Sequence, residues 1–426
     1  DLSRHDKWLC MMYPRLVLLQ KLLAEDGAIF ISIDDNEHAN LLLVCNEIFG
    51  SNNFIQDIIW NKRVSPARDA KFFSTDHEYI LVYSKNKESL TTHFLPRTEK
   101  NNSYYKNPDN DPRGPWNSAA YTCNKSRDER PNLYYPITNP YTGEKIFPKE
   151  SAVWAYSEET YQQHVRDNLL YWGVNGEAKQ PRKKAFLSEV GDVVPRSVWS
   201  HSDVGSTQKA TMENNTIFNM RAFSYPKVST LVERIIQIAS DKDSIVLDSF
   251  AGSGTTAHAV LNMNKSDGGN RKFILVEMGD YADTITAERV KRVINGYGEG
   301  KNAVEGTGGN FSYYELGNPL FMQDGTINDE VDITEVRKYV WYTETNGIEY
   351  KEDIQEKYFL GSYNDTAYYF YYEKDRVTIL DYEFLTSVHK KEQTYVMYAD
   401  SCALSDSDLQ KWNITFKKIP RDIEHI

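Results

Sequence analysis

Residues 246–257 read Val-Leu-Asp-Ser-Phe-Ala-Gly-Ser-Gly-Thr-Thr-Ala, and no other stretch limits the possible folds as tightly. An apolar run through Ile245, Val246 and Leu247 ends in an acid, Asp248. A turn hinged at Gly252 and Gly254 follows, and then Thr256, Ala257, His258, Ala259, Val260 and Leu261 begin a helix-forming stretch. Strand, tight loop and helix in that order predict the start of a doubly wound α/β sheet, with a ligand at the strand's C-terminal end. Glycines let the backbone approach that ligand closely, and the helix N-terminus favours a carboxylate or phosphate. A second apolar run, residues 272–276, ends in Glu277, 23 residues past Gly254. An acid there suits a ribose hydroxyl pair.

Three ligands compete for such a loop. A P-loop needs Gly-Lys-Ser/Thr, and no lysine lies between Lys242 and Lys265, which argues against ATP. Gly252-x-Gly254-x-x-Ala257 fits the looser dinucleotide fingerprint, so NAD stays open. S-adenosylmethionine is the third, its amino-acid end on the loop and its ribose on Glu277. The bland alternative is a buried turn with no ligand, and the coincidence of glycines, strand-end acid and second acid speaks against it.

The run Asp248-Ser249-Phe250-Ala251-Gly252-Ser253-Gly254-Thr255-Thr256 resembles the cofactor motif of DNA amino-methyltransferases, Asp-Pro-Phe-x-Gly-Ser-Gly-Thr-Thr. Ser249 stands where that motif has proline. Upstream, Phe223-Ser224-Tyr225-Pro226-Lys227-Val228 resembles the segment these enzymes place before the loop, Phe-x-x-Pro-Lys-Pro, with Val228 departing from it. The nearest resemblance is to the modification (Mod) subunits of type III restriction–modification systems. It extends over roughly residues 5–300, through Trp8 to Leu16, Ile31 to Glu37, Asp111 to Trp116, Asn139 to Gly143 and Phe186 to Val190.

The resemblance implies a Rossmann-like α/β sheet dependent on S-adenosylmethionine, methylating adenine N6 of a flipped-out base in double-stranded DNA. It implies partners as well: a second Mod subunit and a helicase-like restriction (Res) subunit. The cofactor residues it assigns are Asp248, Phe250, Ala251, Gly252, Ser253, Gly254, Thr255 and Glu277, with Phe223, Pro226 and Lys227 from the upstream segment. These enzymes also carry a catalytic tetrapeptide, Asp-Pro-Pro-Tyr, on a strand before the residue 8–16 region, and this sequence has no Pro-Pro pair. Asn139-Pro140-Tyr141 is read as a turn instead. No catalytic residue is therefore assigned. The expectation is that the tetrapeptide's strand lies upstream of Asp1, that these residues alone do not turn over, and that the sheet has a gap beside the cofactor strand. A catalytically silent DNA-binding remnant is the alternative reading, with a NAD-binding oxidoreductase behind it.

The net charge of −12 is unevenly spread: residues 301–426 hold 13 Lys/Arg against 23 Asp/Glu, which is −10. That part is not expected to be the phosphate-binding surface, and a protein partner suits it better. Four scattered cysteines without metal-ligand spacing point to a reducing cytoplasm and no metal, and no apolar stretch is long enough to span a membrane. Four regions are expected: a target-adenine half (1–94), a target-recognition domain (95–210), a cofactor half (211–300) and a C-terminal α/β module (301–426) for docking or dimerisation. The first is read as a helix at 11–24, a strand at 28–33, a helix at 37–49 and extended runs at 54–62 and 78–85. Asp34 and Asp35, at a strand's end, either line the site or cap the next helix through Asp35 or Asn36. The recognition region is irregular, and its aromatics, from Tyr104 to Trp199, are expected mostly in its core. Arg182-Lys183-Lys184 there is a candidate phosphate contact or a solvated loop. The cofactor half adds helices at 230–239 and 282–296. The C-terminal module is expected to hold strands at 366–372, 377–380 and 394–398.

Overall fold

In the computed structural model, which describes residues 2–351 and 356–420, the chain divides into two compact units, Asp1–Phe311 and Ser312–Ile426. The division falls eleven residues beyond the boundary expected at 300/301, because Val304–Glu305 still pairs with Gly296–Tyr297 and stays with the first unit.

The first unit opens on α1 (Leu2–Leu22), β1 (Ala28–Ile33) and α2 (His38–Cys45). Helix α1 begins nine residues earlier than the apolar spacing predicts. Helix α2 runs on into a π-helical turn, Asn46–Gly50. Neither Asp35 nor Asn36 caps α2: the N-cap is Glu37 without a side-chain bond, and Asp34 instead accepts from the Asn36 N–H at 3.1 Å. A carboxylate two residues before an amide closes its own turn, and that local bond wins here.

Strands β2 (Phe54–Asn61) and β3 (His77–Ser84) complete an antiparallel set with β1, and β4 (Val198–Trp199) joins β2 in parallel, giving the order β1-β3-β2-β4. The alternation of β3 splits its side chains between two layers. Ile80 and Val82 pack with Trp60, Trp199 and Leu231 on one face, Leu81 and Tyr83 with Met12, Leu16, Leu41 and Cys45 on the other. Between β3 and β4 the chain is irregular, built around a three-stranded sheet of Trp116–Ala120, Arg182–Phe186 and Leu170–Tyr171. Trp116, Tyr121, Tyr135, Trp154, Trp172 and Trp199 are buried, as a region with little regular structure requires. The reading of 182–184 as a basic loop is corrected by Lys184, which is 2% exposed and bound to Asp109 and Asp111. At 139–143 the turn forms, with Asn139 accepting from the Tyr141 N–H at 2.8 Å.

The cofactor half follows: α3 (Thr207–Phe218), α4 (Ser229–Ala239), β5 (Ile245–Asp248), α5 (Thr255–Asp267), β6 (Lys272–Leu275) and α6 (Glu288–Asn295). A π-helical segment, Ala282–Ala287, leads into α6 where a regular helix is expected. Strands β5 and β6 pair in parallel, Leu247 opposite Ile274. Val246, Phe273 and Leu275 pack on the helices, whereas Ile245 and Ile274, pointing the other way, are 65% and 50% exposed. Among the described residues β5 pairs only with β6 and β1 only with β3, so the sheet is in two pieces.

The second unit has its own sheet, β7 (Phe359–Tyr363), β8 (Thr366–Phe370), β9 (Thr394–Ala399) and β10 (Ile414–Lys418), in chain order. The first pair is antiparallel and the other two parallel. One face packs on α7 (Ile333–Thr345) through Val336, Val340 and Trp341. The strand expected at 377–380 shrinks to Ile379–Leu380, paired with Ser401–Cys402. Among the described residues no helix is long and apolar enough to cross a membrane, and no cluster of potential metal ligands occurs.

Candidate functional site

The loop between β5 and α5 is braced from three sides. Asp248, ending the strand, accepts from the Phe250 N–H at 3.1 Å and from the Thr256 hydroxyl at 2.6 Å. One carboxylate thus fixes both ends of the turn, and its role is to shape the loop. Gly252 and Gly254 have φ of +52° and +77°, a region side chains rarely adopt. A Cβ on Gly254 would lie 2.9 Å from the Thr286 carbonyl oxygen, so the turn has no room for one. Ala251 is buried and donates its N–H to the Val276 carbonyl at 3.1 Å. Phe250 points outward, half exposed. Gly254 gives the start of α5 no side-chain cap, leaving first-turn amides available to an anion.

Glu277 stands across the loop. Its Oε2 accepts from the Gly252 N–H at 2.7 Å, and its Oε1 from the Met278 and Gly279 N–H groups, both at 2.9 Å. A carboxylate has about four acceptor positions. Three are taken by backbone amides, and the Tyr281 hydroxyl also bonds this carboxylate; burial first, and then Glu277, push the Tyr281 phenol up. The Phe223 ring covers Gly252 and packs edge-on against Tyr281, 5.4 Å between centroids.

Pro226 is buried, and Lys227 touches the loop with its backbone: its carbonyl accepts from the Thr255 hydroxyl at 3.2 Å. Its ammonium turns the other way, onto Glu78 at the start of β3, which also holds Lys62 at 3.0 Å. Burial pushes the Glu78 carboxyl up, and the two lysines outweigh it, holding it below its ordinary value. Lys227 therefore ties the cofactor loop to the first sheet. At the same end of that sheet Ile33 lies opposite Tyr79, and His38 stacks on Tyr79 at 4.0 Å while bonding Asp57 at 2.7 Å.

Sequence reasoning missed the group beneath the loop. Arg289 of α6 is fully buried, and its Nη1 donates to Ser253 at 3.0 Å and Thr255 at 2.9 Å. Its Nη2 donates to Glu213 at 3.1 Å and to Nδ1 of His258 at 3.0 Å. Burial first, and then the charge of Arg289, push His258 down to about 3. The ring is neutral, with its proton on Nε2. The signal was legible: Thr286, Arg289, Val290 and Val293 recur at helical spacing, which places an arginine in a buried stripe.

An α/β domain with a glycine loop at a strand's C-terminal end and an acid after the next strand defines a nucleotide-cofactor protein. A family model described as DNA methylase matches residues 1–288, and the chain belongs to that family. It is 36% identical over 306 residues to the type III restriction-modification enzyme StyLTI Mod subunit of Salmonella typhimurium, covering 68% of this chain and 46% of that one. It is 32% identical over 300 residues to the EcoPI Mod subunit of Escherichia phage P1, covering 65% and 46%. It is 33% identical over 292 residues to the type II methyltransferase M.KpnI of Klebsiella pneumoniae, covering 64% and 67%. The chain thus spans about half the length of the two Mod subunits.

Proposed function

We propose that this chain serves a site-specific DNA methyltransferase that moves a methyl group from S-adenosylmethionine to adenine N6, as the modification subunit of a type III restriction–modification system. The observation that carries the reading is the braced glycine loop facing Glu277, on a chain of the DNA methylase family. Bound S-adenosylmethionine supplies an electrophilic methyl group on a sulfonium centre. The residues do the rest: the first-turn amides of α5 would meet the amino-acid carboxylate, Glu277 would accept from a ribose hydroxyl, and Phe250 and Phe223 border the loop. Ser253, Thr255, Pro226 and Lys227 hold the loop's shape from behind. Adenine over cytosine rests on the resemblance to type III Mod subunits.

Residues 1–94 are the target-adenine half, 95–210 the target-recognition domain, 211–300 the cofactor half, and 301–426 the docking or dimerisation module in this proposal. Extruding the target base costs a few kcal/mol of stacking and pairing. Double-stranded DNA, a second Mod subunit and a Res subunit are the partners, in the cytoplasm. Calorimetric titration with S-adenosylmethionine, with NAD in parallel, tests the reading. Binding of the first alone, lost in Asp248→Ala, is expected. Binding of NAD alone overturns it.

A further inference from the structure

Below the loop, the hydrogen atoms can be counted. Arg289 Nη1 has two and gives one each to Ser253 Oγ and Thr255 Oγ1. Thr255 passes its own hydrogen to the Lys227 carbonyl. With that hydrogen committed, the Ser253 hydroxyl is the donor in its 3.2 Å bond to Thr255 Oγ1. Nη2 gives its two hydrogens to Glu213 and to neutral His258. Glu213 in turn accepts from the backbone N–H of Ser229 at 3.1 Å and from the Ser229 hydroxyl, at the start of α4. One guanidinium and one carboxylate therefore join the loop, the segment carrying Pro226 and Lys227, and α6.

We propose that Arg289, anchored by Glu213, is a positioning residue for the amino-acid end of the cofactor. It fixes the Ser253–Gly254–Thr255 turn from beneath and directs the hydroxyl donors. The inference rests on the reading of this loop as an S-adenosylmethionine site and adds the residue that sets its geometry. A buried charge held by four directed bonds is an expensive arrangement for mere packing, since an apolar side chain of like volume would serve that purpose as well.

The test compares two ligands. S-adenosylhomocysteine carries the amino-acid end, and 5′-methylthioadenosine lacks it while keeping adenine and ribose. Both are titrated calorimetrically into the full chain and into Arg289→Lys, which keeps the charge and loses the fork. Affinity for S-adenosylhomocysteine is expected to fall roughly tenfold or more, the loss of one or two charged hydrogen bonds, with methylthioadenosine unchanged. Glu213→Gln keeps the shape and loosens the anchor, and is expected to shift the same ratio less. It provides the comparison if Arg289→Lys does not fold, as judged by its thermal transition without ligand. Equal loss for both ligands, or no loss, overturns the positioning role and leaves the cofactor reading intact. Failure of the unsubstituted chain to bind either ligand overturns the cofactor reading and this inference together.

Discussion

Single buried charges decide more here than the surface pairs do. The Lys184 side chain is buried between Asp109 and Asp111, and the Asp111 carboxylate is itself fully buried. Arg113 foremost, with Lys184, overcomes burial and holds that carboxyl far below its ordinary range. Removing Lys184 leaves Asp111 its two bonds from Arg113, so the loss is that of a buried charged hydrogen bond, about 1.5–3 kcal/mol. Lys184→Ala is thus expected to lower stability by that much in denaturant titration. Lys125→Ala, which breaks an exposed pair with Glu129 four residues along, should cost under about 0.5 kcal/mol. His258 gives the pH dependence. Its folded pKa is near 3 against an ordinary 6.5, so the folded ring stays neutral where the unfolded one takes up a proton. Its contribution is complete above about pH 6.5 and erodes by about 1.4 kcal/mol per pH unit as pH falls toward 3. An asparagine in its place would offer Arg289 an acceptor but not titrate, so His258→Asn should show a shallower fall in stability between about pH 6.5 and 5. Equal slopes in the two proteins would refute the assignment.

At the scale of elements, the β5–loop–α5 unit is the part most completely specified by its residues. Seven consecutive residues, 255–261, are buried, so α5 has core on every side at its start and cannot shift to relieve the loop. Gly254→Ala meets a backbone oxygen and a left-handed φ together, and is expected to cost upwards of about 2 kcal/mol and to abolish cofactor binding. Gly268, at the other end of the same helix with φ +69°, has nothing within 4 Å of an added Cβ. Gly268→Ala should cost only about 1 kcal/mol and leave binding unchanged, as thermal unfolding and titration would report. That contrast also marks what the sequence made legible. The strand from Ala28 to Ile33 and the acid-glycine-acid frame of Asp248, Gly252 and Glu277 follow from local pattern, because alternation and turn chemistry act over a few residues. The bonds of Lys227 with Glu78 and of Arg289 with Glu213 join residues 149 and 76 positions apart, which no local period encodes. The start of α1 was missed because Arg4, His5, Asp6 and Lys7 break the apolar stripe, although Arg4 and Lys7 are strong helix formers.

Over the whole molecule, charge and topology divide the chain near the same place. The unit 312–426 has its own four-stranded sheet and its own cores, and nearly all the net negative charge lies beyond residue 300. A unit that buries Trp341, Phe370 and Ile419 against its own residues has the means to fold alone. Expressed as residues 312–426, it is expected to give a cooperative thermal transition and native-like strand signal in circular dichroism. The converse piece, residues 1–311, should keep full affinity for S-adenosylmethionine, since every residue assigned to the loop and its supports lies within it. Its affinity for duplex DNA should be equal to or higher than that of the whole chain at low salt, because removing acidic surface lowers the repulsion of phosphates. A drop in DNA affinity on removing 312–426, persisting at high salt, would place DNA contacts in the acidic unit and reverse the division of labour proposed for it.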